Sequence, residues 1–518
     1  MLYAFFLQIS YGGRIASDGA GSALQGWDLI HGHLLLHGWL LSDVSFYTFE
    51  LPLNGITEVI FGLGPRAAHV ASALVYFIVA VLTVAVAVRG SRGAARVARA
   101  AVAVTILAVP LLAILTVWLL LEEPDHVGTV VFMLVPALLI DRLPGRPADL
   151  RRVAPLVCVI LAAGQMSDAT VLYVGVPAIV VACGYRVLAA RSLRSADAAI
   201  VAAAVASVPL ELAVRAVMTQ AGGYEVAPPN TARAAPGQWP GHAVAVWGLV
   251  RTLYGAVAAP QARLGTAAAI LGIAGLAAAA AGIARVALTW RRASRAEHIL
   301  VLVIAFNLAV YTVSEKMNPY GFREIAAVLP CGAALAARAV VPATIRHARP
   351  ALTAAAAAVL AGLVALAAAA ARPHAGVALG PEPPQWASAP TWPVTAWLEE
   401  HRVTCALADY WSASSVTLES GGRLQVRAIT LVPRTDGTGY DIHAPYWESN
   451  SLWFNPSLHD ARYVVARQTG KYSPATYERF LGKPSAAWQV PGFVVLEYPE
   501  NLLTRIEPML GVWVGPRA

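Results

Sequence analysis

The sequence predicts an α-helical polytopic membrane protein, with about 11 transmembrane helices and a small C-terminal α/β domain outside the bilayer. Three observations lead there. The 518 residues are 58% hydrophobic and 13% charged, with mean hydropathy +0.59, whereas a soluble chain is about a quarter charged. The apolar residues fall in long runs, such as "AAAILGIAGLAAAAAGIARVAL" ending at Leu288; runs of roughly 18 read as membrane spans. Past residue 371 the composition changes to a Pro-rich stretch and then to mixed helix and strand patterns.

Apolar runs place spans near 1–14, 65–88, 100–121, 127–141, 153–166, 170–188, 197–218, 264–289, 298–314, 324–345 and 351–371. The first is read as an uncleaved helix, because no small-x-small cleavage site precedes the polar residues that follow it. Five arginine clusters set the orientation: Arg89 to Arg99, Arg142 to Arg152, Arg186 to Arg194, Arg291 to Arg295 and Arg346 to Arg349. All fall on one side if the N-terminus is cytoplasmic. The net charge of +8 then belongs to the membrane topology and does not imply nucleic acid.

The opposite loops lie outside the cell in this reading: 15–64, "LEEPDH" (Leu121 to His126), "QMSDAT" (Gln165 to Thr170), 219–263 and "SEKMNPYGFRE" (Ser314 to Glu324). The domains are a membrane region 1–371 with its large first loop, a linker 372–390 and an extracytoplasmic α/β domain 391–518. In the last, "TWPVTAWLEEH" reads as a helix capped by Thr391, and "VTCALADYW", "LQVRAIT", "ARYVVARQ" and "FVVLEYP" read as strands. Cys158, Cys183 and Cys331 sit in apolar runs and Cys405 is alone in the tail, so no disulfide framework is expected. There is no P-loop, and nothing indicates a nucleotide cofactor.

Polar residues capable of chemistry concentrate in the outer loops. Asp18, in "IASDGAG", follows the first span. A carboxylate at that depth loses water, which raises its pKa toward the range of a general base; a helix N-cap is the plain alternative. "EEPDH" offers Glu122, Glu123, Asp125 and His126, a set of oxygens with one imidazole that could hold a divalent cation or simply solvate a turn. "EKMNPYGFRE" offers Lys316, Tyr320, Arg323 and Glu324. A guanidinium at the membrane edge suits a phosphate, and an ion pair of Arg323 with Glu324 is the alternative. Glu50 stands near re-entry into the membrane and is placed at the same cavity. His31, His33 and His37 share no cysteine neighbours and read as interface packing or acceptor contact; on a helix His33 and His37, four apart, would share one face.

This layout resembles the GT-C integral-membrane glycosyltransferases, among them protein mannosyltransferases, aminoarabinose transferases and arabinosyltransferases. The likeness spans roughly residues 1–371 and rests on an acid after the first span (Asp18), acids after the third ("EEPDH") and a late loop with a basic residue ahead of a span ("GFREIAAVLP", Arg323). The sequence departs in having Glu324 where an aromatic is common, and one Asp18-Gly19 in place of an adjacent acidic pair, which leaves metal dependence open. The tail is similar to the α/β domains that follow such membrane regions, "ADYW" (Ala408 to Trp411) most of all.

The resemblance implies a multi-pass cell-membrane enzyme that moves a hexose or pentose from a polyprenyl-phosphate donor to an extracytoplasmic acceptor, a cell-envelope glycan, lipid or protein, with inversion. Asp18 would be the base. Arg323 and Lys316, with Glu50 and Tyr320, would bind substrate. Glu122, Asp125 and His126 would be the ligands of any metal. Two other classes stay in view. A transporter or lipid flippase would use charges within spans, and Glu211 with Arg215 is the best such feature. A non-catalytic scaffold would bind cell-wall polymer through the tail.

Overall fold

In a computed structural model, residues 2–13, 15–112, 126–142, 147–192, 195–227, 232–257, 265–318, 321–342, 390–433, 440–445 and 447–506 are described. The predicted span at 351–371, the linker through residue 389, Tyr320 and the acids of "EEPDH" lie outside them.

The membrane region comprises helices α1 (Leu2–Tyr11), α2 (Ser17–Ile30), α3 (Glu50–Phe61), α4 (Pro65–Val88), α5 (Gly93–Ala108), α6 (Val131–Asp141), α7 (Pro147–Ser167), α8 (Val176–Ala190), α9 (Ala196–Gln220), α10 (Trp239–Leu253), α11 (Gly265–Leu288), α12 (Arg295–Val313) and α13 (Val328–Val340). Short strands β1 (Trp39–Leu41) and β2 (Glu225–Val226) lie in its loops. Among the described residues, six helices are long and apolar enough to cross a bilayer, and four shorter apolar helices accompany them. Each predicted span that falls on described residues coincides with a helix.

The helices pack through small residues. Gly26 of α2 and Gly55 of α3 oppose each other, and a Cβ on Gly26 would come within 2.9 Å of the Gly55 nitrogen. Small-residue contacts of this kind let backbones approach where lipid supplies no hydrophobic drive. Ala20 and Ala23 of α2 pack on Ala68 of α4 and on Leu418.

Two ends of the bundle are distinct. At one end the arginine loops are tied to neighbouring helix ends: Arg89 to Asp141 at 3.1 Å, Arg295 to Asp197 at 2.7 Å, Arg338 to the Val86 carbonyl at 2.8 Å and Arg99 to the Val341 carbonyl at 2.9 Å. At the other end the first loop meets the later polar loops. β1 pairs with β2 in parallel, Ser45 donates to the Met166 carbonyl at 2.6 Å, and Arg233 bridges to Ser314. Among the described residues, these contacts keep the loops at 89–99 and 291–295 apart from the other polar loops.

Beyond residue 390 lie α14 (Trp392–Glu400), β3 (Cys405–Asp409), α15 (Tyr410–Glu419), β4 (Gln425–Pro433), β5 (Tyr440–His443), β6 (Ser449–Asn450), β7 (Tyr463–Arg467), α16 (Pro474–Leu481), β8 (Ala486–Val490) and β9 (Phe493–Glu497). A six-stranded mixed sheet runs in the order β5-β4-β3-β7-β9-β8. The parallel centre, β4-β3-β7, is buried on both faces. Leu407 and Val464 join one apolar cluster, and Ala406, Ala408 and Val465 join the other, as period-2 alternation requires. The domain is joined to the membrane region through backbone pairing, since β6 lies antiparallel to β1.

Three expectations are corrected. The loop 219–263 contains a helix, α10, which Pro240, Arg251 and its 15-residue length hid from a search for spans. The first-loop helix starts at Ser17 and ends at Ile30, so His33 and His37 lie past it and share no helical face. Thr391 takes the N-cap position of α14 without capping it, because its hydroxyl donates to Glu419 at 2.5 Å.

Candidate active site

Asp18 sits in the first turn of α2, whose N-cap is Ala16. It is thus not the cap. The partial positive charge of a helix N-terminus favours a carboxylate there. Ser17 donates to the Tyr410 carbonyl, fixing α2 against the start of α15.

Tyr410 is held in turn by β3. The strand ends at Asp409, which is fully buried and accepts from the Trp411 amide at 3.0 Å as the N-cap of α15. Arg467 from β7 grips both oxygens of Asp409 at 3.0 Å. Tyr410 is consequently fixed at the first helical position, and its hydroxyl donates to Asp18. The same hydroxyl lies 3.0 Å from the Glu448 carboxylate. Arg323 approaches the other oxygen of Asp18 at 3.8 Å.

Asp18, Arg323 and Glu448 open into a cavity of about 440 Å³ lined also by Asp43, Glu315, Lys316, Glu324, His126 and Trp447. Lys316 is ion-paired with Asp43. The loop that carries Lys316 and Arg323 is shaped by Tyr311, whose hydroxyl donates to the Lys316 carbonyl at 3.2 Å and accepts from the Asn318 amide at 3.3 Å. Gly321 is required there, since a Cβ would lie 1.6 Å from that hydroxyl. Helix α13 begins at Val328, four residues later than the predicted span, so Glu324 stays in the loop.

Glu324 and Asp168 clamp His126 from two sides, at 2.9 Å on Nε2 and 2.6 Å on Nδ1. Thr129 and the Thr170 amide also donate to Asp168, at 2.5 and 2.7 Å. Burial opposes a charged imidazole, but the two carboxylates outweigh it and raise the His126 pKa well above its usual value. Burial would likewise raise both carboxyls, yet the imidazolium holds Asp168 and Glu324 at about 2.

For Asp18, burial is the leading influence and raises its pKa, against the Tyr410 hydrogen bond and the Arg323 charge. Burial also opposes the charge of Lys316, but Glu324 and Asp43 raise its pKa above the ordinary range. Three non-glycine residues lining the cavity, Phe46, His126 and Glu448, have φ of 54°, 58° and 46°. Left-handed backbone at such residues costs on the order of 1–3 kcal/mol each and gathers at functional sites.

Of the residues singled out from sequence, Asp18, Lys316, Arg323, Glu324 and His126 meet in this cavity. Glu50 does not line it; it is 1% exposed at the start of α3 and packs where Gly128 lacks a Cβ, which would lie 2.0 Å from its carboxylate. Glu122, Asp125 and Tyr320 lie outside the described residues. Asp43, Asp168, Tyr410, Trp447 and Glu448 were not assigned from sequence. The signal present for the last three was the pair of acid-and-aromatic clusters "ADYW" and "PYWE" in an otherwise ordinary α/β tail.

Among the described residues no group of histidines, cysteines and carboxylates is placed to hold a metal ion. Both nitrogens of His126 face carboxylates as hydrogen-bond partners, a geometry that suits an imidazolium and does not fit a ligand to a resident cation. His31 and His37 bond to the Trp27 and Gly222 carbonyls at 2.8 and 2.6 Å. Within α9, Glu211 and Arg215 pair with each other at 2.5 Å, neutralising the charges that a transporter reading would use.

No family model and no curated protein matches the sequence. The fold does match solved structures. Apo ArnT from Cupriavidus metallidurans aligns with a TM-score of 0.53 at 12% identity, covering 97% of each chain. The Archaeoglobus fulgidus oligosaccharyltransferase, in its complex with Zn and sulfate, aligns at 0.45 and 13% identity over 98% of this chain and 76% of that one. The chain therefore shares its fold with ArnT across nearly the full length of both chains.

Proposed function

We propose that this protein is an inverting glycosyltransferase, acting on a polyprenyl-phosphate sugar and an acceptor outside the cytoplasm. The observation that carries the reading is the convergence of Asp18, Arg323 and Lys316 on one cavity at the end of the bundle away from the arginine loops. A donor anchored by its lipid tail presents its phosphate at that depth. Its sugar–phosphate bond already holds the energy for transfer, so no nucleotide site is needed.

Asp18 takes the proton of an acceptor hydroxyl. The freed oxygen attacks the anomeric carbon from the face opposite the phosphate, and the carbon–oxygen bond to phosphate breaks with its electron pair leaving on the phosphate. Arg323, with its two-pronged guanidinium, and Lys316 meet that charge. The pairing of Lys316 with Asp43 keeps the ammonium in the cavity before the donor arrives. The clamp at His126 ties the loop bearing Glu324 to Asp168, and so fixes where Arg323 stands. No step is assigned to a metal. In this reading the N-terminus is cytoplasmic and the α/β domain lies outside the cytoplasm.

The test is transfer by purified protein in detergent or nanodiscs, from a radiolabelled polyprenyl-phosphate sugar to envelope glycan, lipid or protein acceptors. Product formed by the parent and lost in Asp18→Asn supports the reading. A parent that binds the donor yet transfers nothing to any of the three acceptor classes contradicts it.

A further inference from the structure

Two carboxylates reach one phenol at this site. Tyr410 Oη donates to Asp18 from α15 and lies 3.0 Å from a carboxylate oxygen of Glu448. A phenol has one hydrogen and can accept others. It can serve Asp18 while Asp18 is ionised, and turn to Glu448 once Asp18 carries a proton that it donates back to the phenol.

Glu448 is built into this position. It is 5% exposed and its backbone has φ of 46°. Its carboxylate occupies the gap left by the missing side chain of Gly21, where a Cβ would lie 2.2 Å from Oε2. Gly21 is on the same helix as Asp18, three residues on, so the helix carrying the base also seats the second acid. Tyr410 and Glu448 both belong to the extracytoplasmic domain, which is pinned to the first loop by β6 on β1 and by Asn450 donating to the His37 carbonyl at 3.3 Å.

We infer that Glu448, acting through Tyr410, is a positioning residue that strengthens Asp18 as a base, so that the extracytoplasmic domain completes the catalytic centre. The inference rests on the reading of Asp18 as the base. In the step, the acceptor O–H bond breaks and its proton goes to Asp18. The new Asp18 O–H donates to Tyr410 Oη as the Tyr410 hydrogen turns to the Glu448 carboxylate. The resulting chain leaves no oxygen facing another without a hydrogen between them. Before the step, by contrast, the single phenol hydrogen has to serve both Asp18 and Glu448. The arrangement is thus better satisfied after proton uptake, which is where catalysis gains from it.

The charged groups facing Asp18 are Arg323 from the loop before α13, Tyr410 from α15 and Glu448 from the segment before β6; Asp43, Glu315, Lys316, Glu324 and His126 line the same cavity. Burial raises the pKa of Asp18, and a nearby like charge acts in the same direction. Removing the charge of Glu448 weakens the base.

The experiment measures kcat/KM for sugar transfer against pH in the purified full-length parent, Glu448→Gln, Glu448→Asp, Tyr410→Phe and Gly21→Ala. Glu448→Gln is expected to move the acid limb down by about one pH unit, the scale of a like-charge contribution, with a lower plateau. Glu448→Asp should return the limb toward the parent. Gly21→Ala, which displaces Glu448 without changing any titrating group, should reproduce the shift. Tyr410→Phe removes the link and should shrink the shift that Glu448→Gln produces in the double variant, leaving only the through-space part. Loss of rate in Glu448→Gln with the acid limb unmoved overturns the inference and leaves Glu448 a packing residue. A parent without transfer activity, or Asp18→Asn with the parent's rate, overturns the underlying reading instead.

Discussion

Replacing His126 by alanine removes the cation from between two buried carboxylates, and the structure sets the size and pH dependence of the loss. The imidazole makes contacts of 2.6 and 2.9 Å, and the three side chains are 8%, 1% and 15% exposed, so solvent screens little. Breaking a buried pair by removing one partner costs on the order of 3–5 kcal/mol, because the remaining charge is left uncompensated. Here two carboxylates are left, and the variant lies at the upper end of that range.

The sign follows from the shifts. The His126 pKa is raised by its partners, so its contribution is complete below the unfolded value near 6.5 and fades as pH rises through the higher folded value. Asp168 and Glu324 are depressed to about 2; their contributions are complete above their unfolded values near 4 and are lost as pH falls toward 2. The difference in stability between parent and His126→Ala is therefore largest at about pH 5 to 6.5 and narrows on both sides. The assay is the apparent melting temperature of purified protein in detergent at one scan rate, with Asp168→Asn and Glu324→Gln added singly to His126→Ala. Each added variant removes a stranded charge and should recover part of the loss. An unchanged melting temperature in His126→Ala, or a gap that widens steadily into alkaline pH, refutes the charged clamp.

Other outcomes follow from the same geometry. Arg323→Ala should weaken donor binding by about one to two decades, the worth of a charge-assisted contact of roughly 1.5–3 kcal/mol, and Arg323→Lys by less, since lysine keeps the charge and loses the fork; normal donor affinity in a folded Arg323→Ala protein removes that role. Gly321→Ala should impair donor binding without touching a charge, because the side chain collides with Tyr311 and displaces the Lys316–Arg323 loop; parent affinity in this variant would show that the loop has no fixed shape. A cysteine at the exposed Lys483 should react with an impermeant maleimide in intact cells, with little background from Cys183, Cys331 and Cys405, which are buried. Reaction only after lysis reverses the orientation.

The membrane helices were legible because burial in lipid leaves a one-dimensional trace, a run of apolar residues of fixed length. α10 escaped because it is only 15 residues long and carries Pro240 and Arg251. Asp18, Lys316 and Arg323 could be picked out as charges next to spans, but their partners could not. Asp168 lies in a six-residue loop with nothing to mark it, and Tyr410 is 392 residues from Asp18 in the chain. Such pairs depend on where β6 meets β1 and on how Asp409 and Arg467 orient α15, which are properties of tertiary packing. The role of Gly21 was hidden for a related reason. In the sequence it is one of several small residues near the first span, and only the carboxylate of Glu448 beside it gives its missing side chain a purpose.

Of all measurements, the anomeric configuration of the product bears most directly on the account. Purified protein is given a polyprenyl-phosphate sugar of known anomeric configuration and its acceptor, and the new glycosidic linkage is assigned by NMR for the parent and for Asp18→Asn. A single displacement with Asp18 as base predicts the opposite anomer from the parent, and a rate lower by about 10²–10⁴ in the variant, the usual cost of losing a general base. Retained configuration, or an Asp18→Asn protein that transfers at the parent's rate, contradicts it.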